Sequence, residues 1–175
     1  FIINGNTIFF DVPFYEWLRA FPLQDFFVFI TDFGDTFWLC VFLVLAFVLI
    51  KKKKNRELLV GTMIVEVVLN LLLKYFFDRE RPGFPHLVEV SGYSFPSGHM
   101  MVSTTFALLM LYFLWSSTCS KLWKVLFTIL LILYPIVIGL SRIYLGVHFT
   151  SDVLGAFCVS VSLVSFCIFL FRSLK

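Results

Sequence analysis

An all-α, polytopic membrane helix bundle is the fold this sequence predicts, and three observations predict it. Apolar residues make up 60% of the 175 and charged residues only 14%. Mean hydropathy is +0.95, far from the composition of an ordinary globular domain. The apolar residues also gather in runs close to the roughly 20 helical residues that cross a hydrocarbon core of about 30 Å. No repeat, low-complexity tract or linker divides the chain, so 1–175 reads as a single domain.

Residues 4–33 mix aromatics with Asp11, Glu16, Arg19, Asp25 and Asp32 and are broken by Pro13 and Pro22. That charge density predicts an amphipathic helical segment lying at the membrane interface, which assigns 1–34 to an outer segment and 35–171 to the bundle. Five spans are expected. The first, 35–50, is short but ends on Lys51 to Lys54, whose stems can reach the interface. The others are 58–77, 99–115, 122–140 and 153–171, each an apolar run bounded by polar residues. The chain opens on Phe1, and an upstream helix would bring the count to six.

Orientation follows from the basic residues. "KKKKNR" (Lys51 to Arg56), Lys121, Lys124, Arg172 and Lys175 all fall at one face if five helices alternate, and the positive-inside rule makes that face cytoplasmic. The expected location is therefore the cell membrane, with a cytoplasmic C-terminus. The loops over 78–98 and 141–152 then face the periplasmic or extracellular side. A net charge of +3 gives no reason to expect a nucleic-acid partner. Cys40, Cys119, Cys158 and Cys167 show no C-x-x-C spacing and read as small buried hydrophobes without a disulfide.

Three polar islands lie at the outer helix ends. In the first, Glu66, Asn70 and Lys74 recur every four residues, so they share one face of an apolar helix, and intramembrane ionisable groups usually face the bundle interior. Glu66 lies deep enough to expect a structural polar contact there. Lys74 alone would be an ordinary interface lysine. Arg79 and Arg81 follow in "DRERP", and nothing local separates them.

In the second island, Ser97, Gly98 and His99 immediately precede an apolar run and so occupy a helix N-terminus. Free backbone N–H groups and the helix dipole make that a ready anion site, although a plain N-cap serine followed by an interfacial histidine fits equally well. In the third, Ser141 and Arg142 end one span while His148 and Asp152 begin the next. Four residues apart, the carboxylate can hold one imidazole nitrogen and leave the other unprotonated, which orients a nucleophile or base. A lone pair of this kind is more often structural. Together the islands offer Lys74, Arg81 and Arg142, two histidines, a helix N-terminus and a single carboxylate placed to pair with a histidine. Fixed cations with backbone donors suit a phosphoryl group, whose charge spreads over three oxygens.

Lys74, six residues, Arg81-Pro82; then Pro96-Ser97-Gly98-His99; then Ser141-Arg142, five residues, His148, three residues and Asp152: this order resembles the three-part signature of the type 2 phosphatidic acid phosphatase superfamily. The "SRIYLGVHF" wording resembles its bacterial membrane members, the phosphatidylglycerophosphate and undecaprenyl pyrophosphate phosphatases. The resemblance implies a metal-independent, cofactor-free lipid phosphatase acting on a phosphate monoester or pyrophosphate of a membrane lipid. It implies that His148 attacks phosphorus and becomes a phosphohistidine, that Asp152 orients it, and that His99 protonates the leaving oxygen. Lys74, Arg81, Arg142, Ser97 and Gly98 would hold the phosphoryl oxygens, which separates Arg81 from Arg79. The alternatives are a lipid phosphotransferase and a non-enzymatic lipid-phosphate transporter built on the same cationic cradle.

Overall fold

The computed structural model describes residues 8–173. Over them the chain forms seven α-helices: α1 (Ile8–Arg19), α2 (Gln24–Thr31), α3 (Thr36–Leu49), α4 (Lys53–Phe77), α5 (Gly98–Trp115), α6 (Lys121–Tyr144) and α7 (Thr150–Ser173). A 3₁₀ turn, Asp32–Gly34, joins α2 to α3. No strand occurs among the described residues.

Helices α4 to α7 are each long and apolar enough to cross a membrane. They outrun the apolar stretches on which they were predicted; α6, for example, runs on through Arg142 to Tyr144. Helix α3 has only 14 residues, about 21 Å at 1.5 Å per residue, and falls short of a hydrocarbon core. It reaches the length of a span only with α2 and the 3₁₀ turn, from which it is bent by 52°. Among the described residues, four helices are thus long and apolar enough to span, and five crossings result if the bent pair counts as one.

Helix α5 is the centre of the bundle, packed on α4, α6 and α7. Of its apolar window 56% is buried, against 22–33% for the other three. Small and hydroxylated side chains explain the fit: Ser103, Thr104, Thr105 and Ala107 are buried and let neighbouring helices approach closely. Around this axis sit two apolar clusters. One joins Leu39, Ala46, Leu59, Met63, Leu109 and Val164 of α3, α4, α5 and α7. The other lies at the end that carries the loops 78–97 and 145–149, where Tyr15 and Leu18 of α1 and Phe27 of α2 pack on Met100, Met101, Ile143, Tyr144 and Val147. Much of the remaining surface is apolar, with Phe37, Val48, Leu72, Leu130 and Phe169 all more than half exposed, as expected where lipid tails take the place of water.

Residues 4–7 of the outer segment lie outside the described residues; of its charges Glu16, Asp25 and Asp32 are exposed, whereas Asp11 is 1% exposed and packs into the bundle. Its charge is answered by partners far along the chain, which no local reading finds. The cysteines are free thiols, but they are not buried, and Cys40 and Cys158 are exposed. In a membrane bundle the outward surface is as apolar as the core, so a hydrophobic residue there carries no sign of burial.

Candidate active site

Helix α4 ends on Asp78, whose left-handed conformation (φ 45°, ψ 35°) turns the chain out of the helix, with its N–H on the Lys74 carbonyl. The loop that follows is pinned at both ends. Ser94 N–H donates to Arg79 O at 2.8 Å, and Leu87 N–H donates to Leu145 O at 3.1 Å. In the facing turn, Gly146 takes φ +76°, and a Cβ there would lie 2.7 Å from Pro85 O. Only glycine fits both conditions. The turn then returns onto the end of α6, where the Arg142 carbonyl accepts the N–H groups of Val147 and His148 at 3.2 and 3.3 Å. One residue therefore holds the backbone of His148 with its carbonyl and turns its guanidinium toward the same space.

That space is a cavity of about 360 Å³ lined by Lys74, Arg81, Gly98, His99, Arg142 and His148, with Asp32, Asp35 and Glu89 also on its wall. Three cations thus converge from three different chain segments. Lys74 Nζ donates one hydrogen bond, to Tyr93 O at 2.7 Å. Arg142 Nη1 donates to Thr31 Oγ1 at 2.8 Å, and its buried Nε has no partner among the described residues. Arg81 is fixed by the carbonyls of Gly92, Ser91 and Val147 at 2.8–3.0 Å. Gly98 and His99 open α5, so their N–H groups belong to the unbonded first turn. Ser97 does not line the cavity. It is fully buried, its N–H donates to Asp152 O at 3.3 Å, and its hydroxyl has no partner among the described residues.

His148 is 2% exposed and lies in the loop before α7, not on the helix. Arg81 Nη1 lies 3.3 Å from its Nε2. An arginine has donors only, so this contact assigns the lone pair to Nε2 and the hydrogen to Nδ1. Nδ1 faces Ser94 Oγ at 3.4 Å and Asp152 Oδ2 at 3.5 Å. The latter is long for a hydrogen bond. Asp152 Oδ2 is already taken by the Ser94 hydroxyl at 2.5 Å and by Phe149 N–H at 2.9 Å. Ser94 therefore stands beside the imidazole and the carboxylate at once, at a distance from Nδ1 close to that of Asp152 itself. Burial pushes the His148 imidazole far below its ordinary value, to about 3, although Asp152 pulls the other way. At neutral pH the ring is uncharged, and its Nε2 lone pair can attack once a phosphoryl group takes the Arg81 N–H from it.

His99 has a carboxylate neighbour of its own, Asp35 Oδ1, 2.8 Å from Nε2 but off the line of a hydrogen bond. The expectation of one histidine-paired carboxylate is thus corrected to two. Asp35, placed by the bend between α2 and α3, read in sequence only as the edge of an apolar run. Ser94 was missed as well, since its hydroxyl meets Asp152 across 58 residues. Glu66 and Asn70 do turn inward, at 2% and 8% exposure. The structural contact expected of Glu66 is absent, however: its Oε2 has no partner among the described residues and faces a second cleft of about 320 Å³ that shares Asp35, Gly98 and His99 with the first.

A family model described as the PAP2 superfamily matches residues 57–174. Phosphatidylglycerophosphatase B of Bacillus subtilis (strain 168) is 41% identical over 98 residues, covering 55% of this chain and 48% of that protein, so the match spans about half the relative's length. An undecaprenyl-diphosphatase of Sulfolobus acidocaldarius is 28% identical over 153 residues, 82% of this chain and 68% of that one. Among solved structures, a transmembrane PAP2 type phosphatidylglycerolphosphate phosphatase from Bacillus subtilis superposes with a TM-score of 0.83 at 28% identity, covering 94% of this chain and 86% of that chain.

Proposed function

This chain belongs to the PAP2 superfamily, and from that premise we propose that it hydrolyses a phosphate monoester or pyrophosphate on a membrane lipid through a phosphohistidine on His148. The observation that carries the reading is the unprotonated Nε2 of a buried, neutral histidine held 3.3 Å from the Arg81 guanidinium on the wall of the cationic cavity. A phosphoryl group drawn to Lys74, Arg81 and Arg142 would take over the Arg81 N–H and bring phosphorus up to that lone pair.

In the proposed reaction Nε2 attacks phosphorus as the bond to the leaving oxygen breaks, and His99 gives that oxygen a proton. Water then attacks the phosphohistidine, His99 takes the water proton, and inorganic phosphate departs with the imidazole restored. The fixed cations and the N–H groups of Gly98 and His99 stabilise the charge on the equatorial oxygens, so no metal is required. Asp152 and Ser94 hold the imidazole of His148, and Asp35 lies 2.8 Å from His99 Nε2. The site belongs on the face opposite the lysine-rich turn 51–54, the outer leaflet by the positive-inside rule. Phosphatidylglycerol phosphate and undecaprenyl pyrophosphate are the substrates the relatives' names support.

The test is phosphate release from phosphatidylglycerol phosphate, undecaprenyl pyrophosphate and phosphatidic acid by full-length protein with a chelator present. We expect release from at least one lipid, undiminished by chelator and abolished in His148→Ala. Wild-type rates in that variant would remove His148 as the nucleophile, and transfer of the phosphoryl group to a lipid or sugar acceptor would make the protein a phosphotransferase.

A further inference from the structure

We propose that Arg79 and Asp11 are positioning residues for the His148–Asp152 pair, which makes α1 part of the catalytic apparatus. The inference rests on the reading of His148 as nucleophile. Asp152 is fully buried, and a carboxylate in such a place needs a compensating charge. The three cavity cations do not contact it. Arg79 does: Nη1 bonds Asp152 Oδ1 and, at 2.7 Å, Ser151 Oγ, while the guanidinium lies 4.1 Å from the ring centre of Phe149.

The division of Asp152 is what matters. Arg79 occupies Oδ1, and Oδ2 is left to Ser94, Phe149 N–H and the imidazole. With Oδ1 tied to Arg79 and Oδ2 to Ser94 and Phe149 N–H, the carboxylate is held at both oxygens, and so is the lone pair that faces His148.

Arg79 is itself anchored from α1. Its Nη2 lies 3.3 Å from Asp11 Oδ2. Asp11 also grips the residue next to Asp152, accepting Ser151 N–H at 2.8 Å on Oδ1 and Ser151 Oγ–H at 2.8 Å on Oδ2. A single carboxylate of α1 therefore fixes the first turn of α7 and the cation that balances Asp152. It does so from outside residues 57–174, the stretch that carries the family match. Neither Arg79 nor Asp11 lines the cavity, so neither touches the phosphoryl group. Their contribution must reach the reaction through Asp152.

The experiment uses the full chain in detergent micelles with the best lipid phosphate substrate. Wild type, His148→Ala, Arg79→Lys, Asp11→Asn and the Arg79→Lys/Asp11→Asn double variant are compared for kcat, KM and melting temperature. Arg79→Lys keeps the charge and loses the fork; Asp11→Asn keeps the shape and loses the charge. We expect each single variant to lose about 10- to 100-fold in kcat, the scale of a small misplacement of a reacting group, with KM within about threefold of wild type. The double variant should lose little more than the worse single one, because both act through the same carboxylate. If only stability were at stake, melting temperature would fall while kcat per folded molecule held, and that result overturns the proposal. So do losses that multiply in the double variant, or a rise in KM with kcat unchanged. Activity in His148→Ala would instead overturn the reading of the nucleophile, whereas a dead His148→Ala beside fully active Arg79→Lys and Asp11→Asn refutes only the role of α1.

Discussion

His148 and His99 differ in what surrounds them, and the difference predicts how each fails. His148 is sealed beneath Arg81 and Ser94, whereas His99 opens toward the cavity beside the half-exposed Asp35. A buried neutral base suits attack; a histidine beside a carboxylate suits proton donation. His99→Asn should therefore slow hydrolysis of a lipid phosphate by about 10²-fold or more, the usual worth of a general acid. It should slow p-nitrophenyl phosphate far less, since that leaving group departs without a proton. Equal losses on both substrates would show that His99 acts on the phosphoryl oxygens instead. Arg81→Lys keeps a cation and loses the fork that holds two loops and His148 together, and we expect a fall of about 10²-fold in kcat/KM. At this scale the residue types were legible in the sequence: Lys74, Arg81, His99, Arg142 and His148 all reach one cavity. What was not legible was their neighbours. Ser94, Asp35 and Asp11 carry no local mark, because each acquires its meaning from a partner brought in by the fold.

Among the elements, the 145–149 turn has the most to do, since it delivers the imidazole against Arg81. Gly146 makes it possible, and Gly146→Ala forces a β-carbon into both a left-handed backbone and the Pro85 carbonyl. We expect a loss of about 1–3 kcal/mol for the conformation alone, seen as a lower melting temperature, together with a fall in kcat as the turn shifts His148. An alanine variant with wild-type stability and activity would mean that the turn is free to adjust. The apolar runs of α4 to α7 were readable because a membrane span leaves a composition that packing cannot disguise. Helices α1 and α2 were harder to place. Their charges signal water or an interface, yet Asp11 is buried among partners 68 and 140 residues away. Helix α3 is also shorter than a span, and at its bend against α2 Gly34 sits so close to His99 and Ile138 that a Cβ would come within 2.9 Å of both side chains.

For the whole molecule, the buried histidine links catalysis to stability. With its pKa pushed down to about 3, His148 stays neutral in the folded protein while the same side chain titrates near 6.5 once unfolded. Between those values the unfolded chain binds a proton that the folded one refuses, so stability falls as pH falls. From pH 7 to pH 5 the loss attributable to this group is about 2 kcal/mol. Melting curves in detergent at the two pH values check it, and the drop should be smaller in His148→Asn. A drop of the same size in the variant would assign the acid sensitivity to other groups. The bundle places the polar groups of the site at the end where α5 presents its N-terminus, and the cationic cavity forms where the loops from α4 and α6 meet it.

The central claim is a covalent bond between phosphorus and His148 Nε2. Rapid quenching of the wild-type protein during turnover of a ³²P-labelled lipid phosphate tests it most directly. The account predicts an acid-labile, alkali-stable label that maps to the peptide containing His148, appears before free phosphate accumulates, and is absent from His148→Ala. Turnover by wild type with no labelled protein at any time, or label retained in His148→Ala, would contradict it.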